Sequence, residues 1–186
     1  MPSKSTTTKY GSIAITLHWL MAILILGLLV SGFRSTGTVV AEAKAAILVV
    51  HAPIGITVLI LLVLRIIWWL FFDKKPNDIG GQPRWQEISA HIVHYAFYAV
   101  LILMTASGVG LFILSGAGPI LFGGGTEALP DLNEFAPRGA HALGVRLLIA
   151  LVVLHAGAAI YHQYVRKDGL LARMWFGGDQ AENKRQ

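Results

Sequence analysis

With 186 residues, 55% of them hydrophobic and only 13% charged, and a mean hydropathy of +0.63, the chain is too apolar for a soluble domain of its size and reads as an integral membrane protein. The absence of cysteine excludes iron–sulfur clusters, thiolate zinc sites and covalently attached c-type haem, so a haem here must be a non-covalent b haem held by histidine or methionine. The formal charge of +5 comes from basic residues set around the apolar runs rather than gathered in one polar domain, so membrane topology accounts for it without nucleic-acid binding.

Residues 1–11, MPSKSTTTKYG, form a short polar tail, and the apolar run behind it is too long for a signal-peptide core and lacks a small-residue cleavage site. Four apolar segments follow, at 12–34, 45–72, 88–114 and 139–165, each long enough to cross a hydrocarbon core. They predict an all-α membrane protein, a four-transmembrane-helix bundle over 12–165, with 166–186 as a solvated tail. Ser31-Gly32 and Gly37 punctuate the end of the first segment, Asp73-Lys74-Lys75-Pro76 the second, and Gly116 to Pro137 the connection between the last two. The run Gly123-Gly124-Gly125 lacks the Lys-Ser/Thr of a phosphate loop and reads as a flexible connection.

Lysine and arginine concentrate in the N-terminal tail (Lys4, Lys9), the second loop (Lys74, Lys75, Arg84) and the C-terminal tail (Arg166, Lys167, Arg173, Lys184, Arg185), whereas the other two loops hold only Arg34, Lys44 and Arg138. The positive-inside rule therefore predicts that both termini are cytoplasmic. Trp19, Trp68, Trp69, Trp85 and Trp175 all fall near the predicted cytoplasmic boundary, as an interfacial belt does.

Histidines carry the chemistry. His141 and His155 are fourteen residues apart, which on a helix brings them to within roughly 40° of one direction about 21 Å apart along the axis. His18, two turns into the first helix, reaches the depth of His155 on the descending fourth. His51, near the outer end of the second helix, reaches the depth of His141. Ionisable groups inside a span face the packed interior and are functional by default. The depths therefore give two axial pairs, His18 with His155 for an inner b haem and His51 with His141 for an outer one. On the third helix, His91 and His94 either contribute to a metal site or line the cytoplasmic rim or a haem edge. His162, seven residues past His155, is either an interfacial histidine without chemistry or a proton donor to a reduced quinone. Arg65 can reach a haem propionate or snorkel to the headgroups. Arg146 is read as a propionate partner, against an ion pair with Glu127, Asp131 or Glu134.

His18-Trp19, His51 followed by Gly55, His91-x-x-His94, His141 with His155, and the trailing YHQYVRKDGLLARM together resemble the prokaryotic cytochrome b561 family over essentially the whole chain. The resemblance implies two b haems held between helices one, two and four by the same four histidines, and a cytoplasmic quinone side around His162 to Asp168. Gln163 stands where members often carry a second histidine. It further implies a superoxide oxidase, taking electrons from superoxide at the periplasmic face and passing them to ubiquinone at the cytoplasmic face. A second reading is an electron-transfer anchor subunit serving a separate dehydrogenase or hydrogenase partner protein. A third, a histidine-lined transporter, ranks last because the spans carry almost no carboxylates.

Overall fold

The apolar segments become helices that run past their hydrophobic stretches into flanking polar residues. In the computed structural model, which describes residues 1–78, 80–124 and 127–177, the chain forms α1 (Ser12–Gly37), α2 (Ala41–Ile67), α3 (Arg84–Ser115), a short α4 (Ala117–Phe122) and α5 (Pro137–Tyr161). Wider π-helical turns prolong α2 to Phe72 and α5 to Arg166. Four of these helices are long and apolar enough to cross a membrane: Ser12–Gly37, Ala41–Phe72, Arg84–Ser115 and Pro137–Arg166. Each contains its expected segment, and the additions include first-turn residues such as Glu42 and Glu87, whose charge suits a helix N-terminus. The connection between α3 and α5, expected to be a loop, holds α4, whose Ala117 is fully buried and whose Phe122 meets Phe112 at 6.2 Å. Gly125 of the glycine run and residues 178–186 of the expected tail lie outside the described residues.

The bundle is built from two helix pairs. The closest packing is of α1 on α2 and of α3 on α5, with α2 against α3 joining the halves. Gly144 sets the approach of α3 and α5, since a Cβ there would stand 2.5 Å from the Met104 sulfur. Small residues let membrane helices approach closely enough for dispersion contacts to hold them. Large apolar side chains such as Ile23, Val30, Phe33, Ile60, Ile113, Val153 and Leu154 lie exposed around the bundle. So broad an apolar exterior fits lipid rather than water.

The N-terminal segment, the α2–α3 connection and the residues after α5 meet at one end, called proximal below. They form an ordered cap there rather than loose tails. The Ser5 N–H and hydroxyl donate to the Asp73 carboxylate, which also accepts from the Trp68 indole at 3.2 Å. Arg173 donates to the Thr8 carbonyl at 2.7 Å and the Asn77 carbonyl at 2.6 Å, and its guanidinium lies 6.0 Å from the Tyr10 ring. Gly11 permits the fold-back, because a Cβ at that position would collide with the backbone of Ser3 and Lys4. Burial pushes the Tyr10 hydroxyl above its ordinary pKa although the Arg173 and Arg65 charges oppose it. Trp19, expected to anchor at the lipid interface, instead donates to the Met174 carbonyl at 2.7 Å and packs edge-on against Trp175.

Candidate functional site: two histidine pairs separated by an apolar layer

Across the seam between the helix pairs, the structure brings together the four histidines in the two couples that depth predicted. His18 of α1 and His155 of α5 have ring centroids 6.0 Å apart, toward the proximal end. His51 of α2 and His141 of α5 have centroids 6.5 Å apart, toward the distal end. Both are ring separations that can also accommodate one metal atom between facing nitrogens, at the metal–nitrogen distance of about 2 Å that imidazoles adopt. Between the couples lies the apolar core of Met21, Ile25, Val58, Leu62, Val100, Leu101 and Leu148. Leu148 stands seven residues from His141 and seven from His155, so one face of α5 presents histidine, leucine and histidine in turn.

The distal couple has defined outer partners. The Ser31 hydroxyl donates to the Leu28 carbonyl at 3.1 Å and accepts the His51 Nδ1–H at 2.8 Å. His141 Nδ1 lies 3.1 Å from both the Ser107 hydroxyl and the Met104 carbonyl. A carbonyl can only accept, so this nitrogen carries the proton and Nε2 is left as the ligating lone pair. Such an outer partner is what a metal-bound imidazole requires to fix its ring. The seam, the ring spacing and the donor set therefore fit a b haem at each couple, with His51 and His141 already in the ligating tautomer.

The remaining candidates divide. Arg65 is half-buried and within coulombic reach of His18, His155 and His94. Arg146 is exposed on α5, about 140° around the helix from His141. Among the described residues it makes no hydrogen bond or ion pair, so neither the pairing with Glu127, Asp131 or Glu134 nor an approach to the histidines forms. The cation whose charge reaches His141 is Arg138, which donates to Asn133 at 3.2 Å. His94 sits 5.5 Å from His155, on the seam, while His91 makes no ring contact. No cluster of three or more metal-ligating side chains occurs among the described residues, around the i, i+3 pair or elsewhere.

His162 is buried at the proximal rim and paired through Nδ1 with Asp168 at 2.5 Å, while Arg166 lies 3.4 Å from the same carboxylate oxygen. The chain returns the carboxylate to His162 through Lys167, whose φ of 55° makes a left-handed turn. Burial pushes the Asp168 carboxyl up, but hydrogen bonds from His162 and the Leu170 N–H, with the charges of His162 and Arg166, outweigh it and hold the group below its usual value. At the same proximal end an open pocket of about 340 Å³ is lined by Gln163, Leu171, Ala172, Trp175, Phe176 and Gly177, without His162 or Asp168 in its wall. Not read from the sequence were the roles of Ser31 and Ser107, which stand among many small residues, and the pairing of Asp168 with His162 inside the His162 to Asp168 segment.

The family model described as prokaryotic cytochrome b561 matches residues 9–177. The chain is 28% identical over 170 residues to a probable superoxide oxidase, CybB, of Yersinia pestis, covering 89% of this chain and 95% of that protein. It is 27% identical over 184 residues to cytochrome b561 homolog 2 of Escherichia coli strain K12, covering 94% and 95%. It is 28% identical over 170 residues to cytochrome b562 of Cereibacter sphaeroides, covering 89% and 94%.

Proposed function

The chain belongs to the prokaryotic cytochrome b561 family, membrane electron-transfer proteins whose membership implies haem b, and on that premise we propose that it carries two b haems in series and oxidises superoxide at the expense of ubiquinone. The observation that carries the reading is the pair of histidine couples at two depths of one bundle, with an apolar layer between them. His18 and His155 would hold the proximal haem, and His51 and His141 the distal one. When bound, haem supplies reversible one-electron chemistry at iron. The protein's residues hold the axial nitrogens, keep water out of the intervening layer, and place cations at the haem edges. Arg65 is the cation available to a propionate at the proximal couple, and Arg138 takes at the distal couple the role expected of Arg146.

With both termini cytoplasmic, as the loop charges indicate, the distal couple faces the periplasm. Two superoxide radicals there each lose one electron and leave as dioxygen. At the proximal rim one ubiquinone gains those two electrons and two protons. His162, held by Asp168 at the same rim, is read as the residue that delivers a proton there. The name of the Yersinia relative, a probable superoxide oxidase, supports the choice of donor.

The test is side-resolved. Protein reconstituted in ubiquinone-loaded vesicles should show haem reduction when superoxide is generated on the loop-facing side, followed by quinol formation. Haems that form but ignore superoxide, and accept electrons only from an added dehydrogenase or hydrogenase, would replace this reading with that of an anchor subunit.

A further inference from the structure

The two couples differ in what holds Nδ1. At the distal couple both imidazoles donate: His51 to Ser31, whose own hydroxyl proton is committed to the Leu28 carbonyl, and His141 to Ser107 and the Met104 carbonyl. The Ser107 hydroxyl in turn donates to Met104 at 2.9 Å, so it too is left as an acceptor. At the proximal couple neither His18 nor His155 makes a hydrogen bond among the described residues. What surrounds them is aromatic and cationic: Trp19 at 5.3 Å, Phe97 and His94 each at 5.5 Å, and the Arg65 charge.

We propose that Ser31 and Ser107, which are not ligands, hold the distal centre at a lower potential than the proximal one and so direct electrons from the distal to the proximal end. An imidazole that donates its Nδ1–H is the more basic ligand and stabilises ferric over ferrous iron. The proximal imidazoles lack that push, and the half-buried Arg65 guanidinium favours the added electron there. Arg138, half-buried in the first turn of α5, acts in the opposite sense on the distal side, so the serine hydrogen bonds have to outweigh it. Transfer between the centres moves one electron, makes and breaks no bond and carries no proton, so the difference in potential sets its direction. The inference rests on the reading of the four histidines as axial ligands.

Optical redox titration of the haem-loaded protein tests it, with H155A, which keeps the distal couple alone, assigning the two midpoints. In the intact protein the distal midpoint should lie below the proximal one. S31A should raise the distal midpoint and leave the proximal one in place. S107A should raise it less, because His141 keeps the Met104 carbonyl. S31T, which restores a hydroxyl acceptor, should return the wild-type value and the wild-type low-spin electron paramagnetic resonance signal. Loss of the distal haem from S31A but not from S31T also supports the assignment. Two haems per chain whose midpoints do not move in S31A and S107A, or a distal midpoint that falls, would overturn it while leaving the ligand assignment standing. A wild-type protein without haem would refute the ligand assignment itself.

Discussion

His141 carries its proton on Nδ1 because the Met104 carbonyl 3.1 Å away can only accept, and that one contact decides which nitrogen is left to bind a metal. Its ring also sits against α3 at Gly108, where an added Cβ would stand 3.4 Å from Cε1. Alanine is therefore accommodated at this position, whereas leucine must displace the imidazole. G108L should lower distal haem content with the proximal haem retained, read from haem per chain and the residual reduced spectrum, and G108A should keep both. At His162 the consequence is one of pH. The Asp168 carboxyl is held below its ordinary value of 3.8, so the stability it lends the 162–170 turn is fully present above that value and is lost only as pH falls through the depressed one. Hydrogen exchange at the Leu170 amide, which donates to Asp168 at 3.2 Å, should stay protected down to about pH 4, and D168N should remove that protection at neutral pH.

Among the elements, the proximal cap holds the ends of three helices with one arginine. Arg173 reaches Thr8 in the N-terminal segment and Asn77 in the α2–α3 connection, and the Tyr10 N–H donates to the Arg173 carbonyl at 3.3 Å. R173A removes two charge-assisted hydrogen bonds at a partly exposed site. A loss of about 1–3 kcal/mol is expected, visible as a lower Tm in detergent with haem content unchanged. This cap was not legible in the sequence, since MPSKSTTTKYG has the composition of a solvated tail and its order comes from Asp73 and Arg173, which are remote in the chain. The four spans were legible, because some twenty apolar residues in a row have few other uses. Their ends lay a few residues further out, since charged first-turn residues such as Glu42 belong to the helix but not to its apolar stretch.

Taken whole, the molecule is two helix pairs facing each other across a seam, with histidines at two depths and leucine, valine and methionine between. The depths could be read from spacing, because an antiparallel bundle fixes which residues share a level. Which side chain turns toward the seam is a matter of angle as well as depth. Arg146 lies one or two turns from His141 yet about 140° around α5, so a shared depth does not put it on the histidine face. His94 meets the His155 ring although its side chain is exposed, whereas His91, three residues earlier, makes no such contact among the described residues. Ser31 and Ser107 needed coordinates, since a serine gains its role from the nitrogen opposite it. With one b haem on each histidine couple, haem counted per chain in wild type, H51A and H155A should be two, one and one, and the haem kept by H51A should differ in reduced spectrum from the haem kept by H155A. Two haems in either variant, or none in the wild type, would contradict that arrangement.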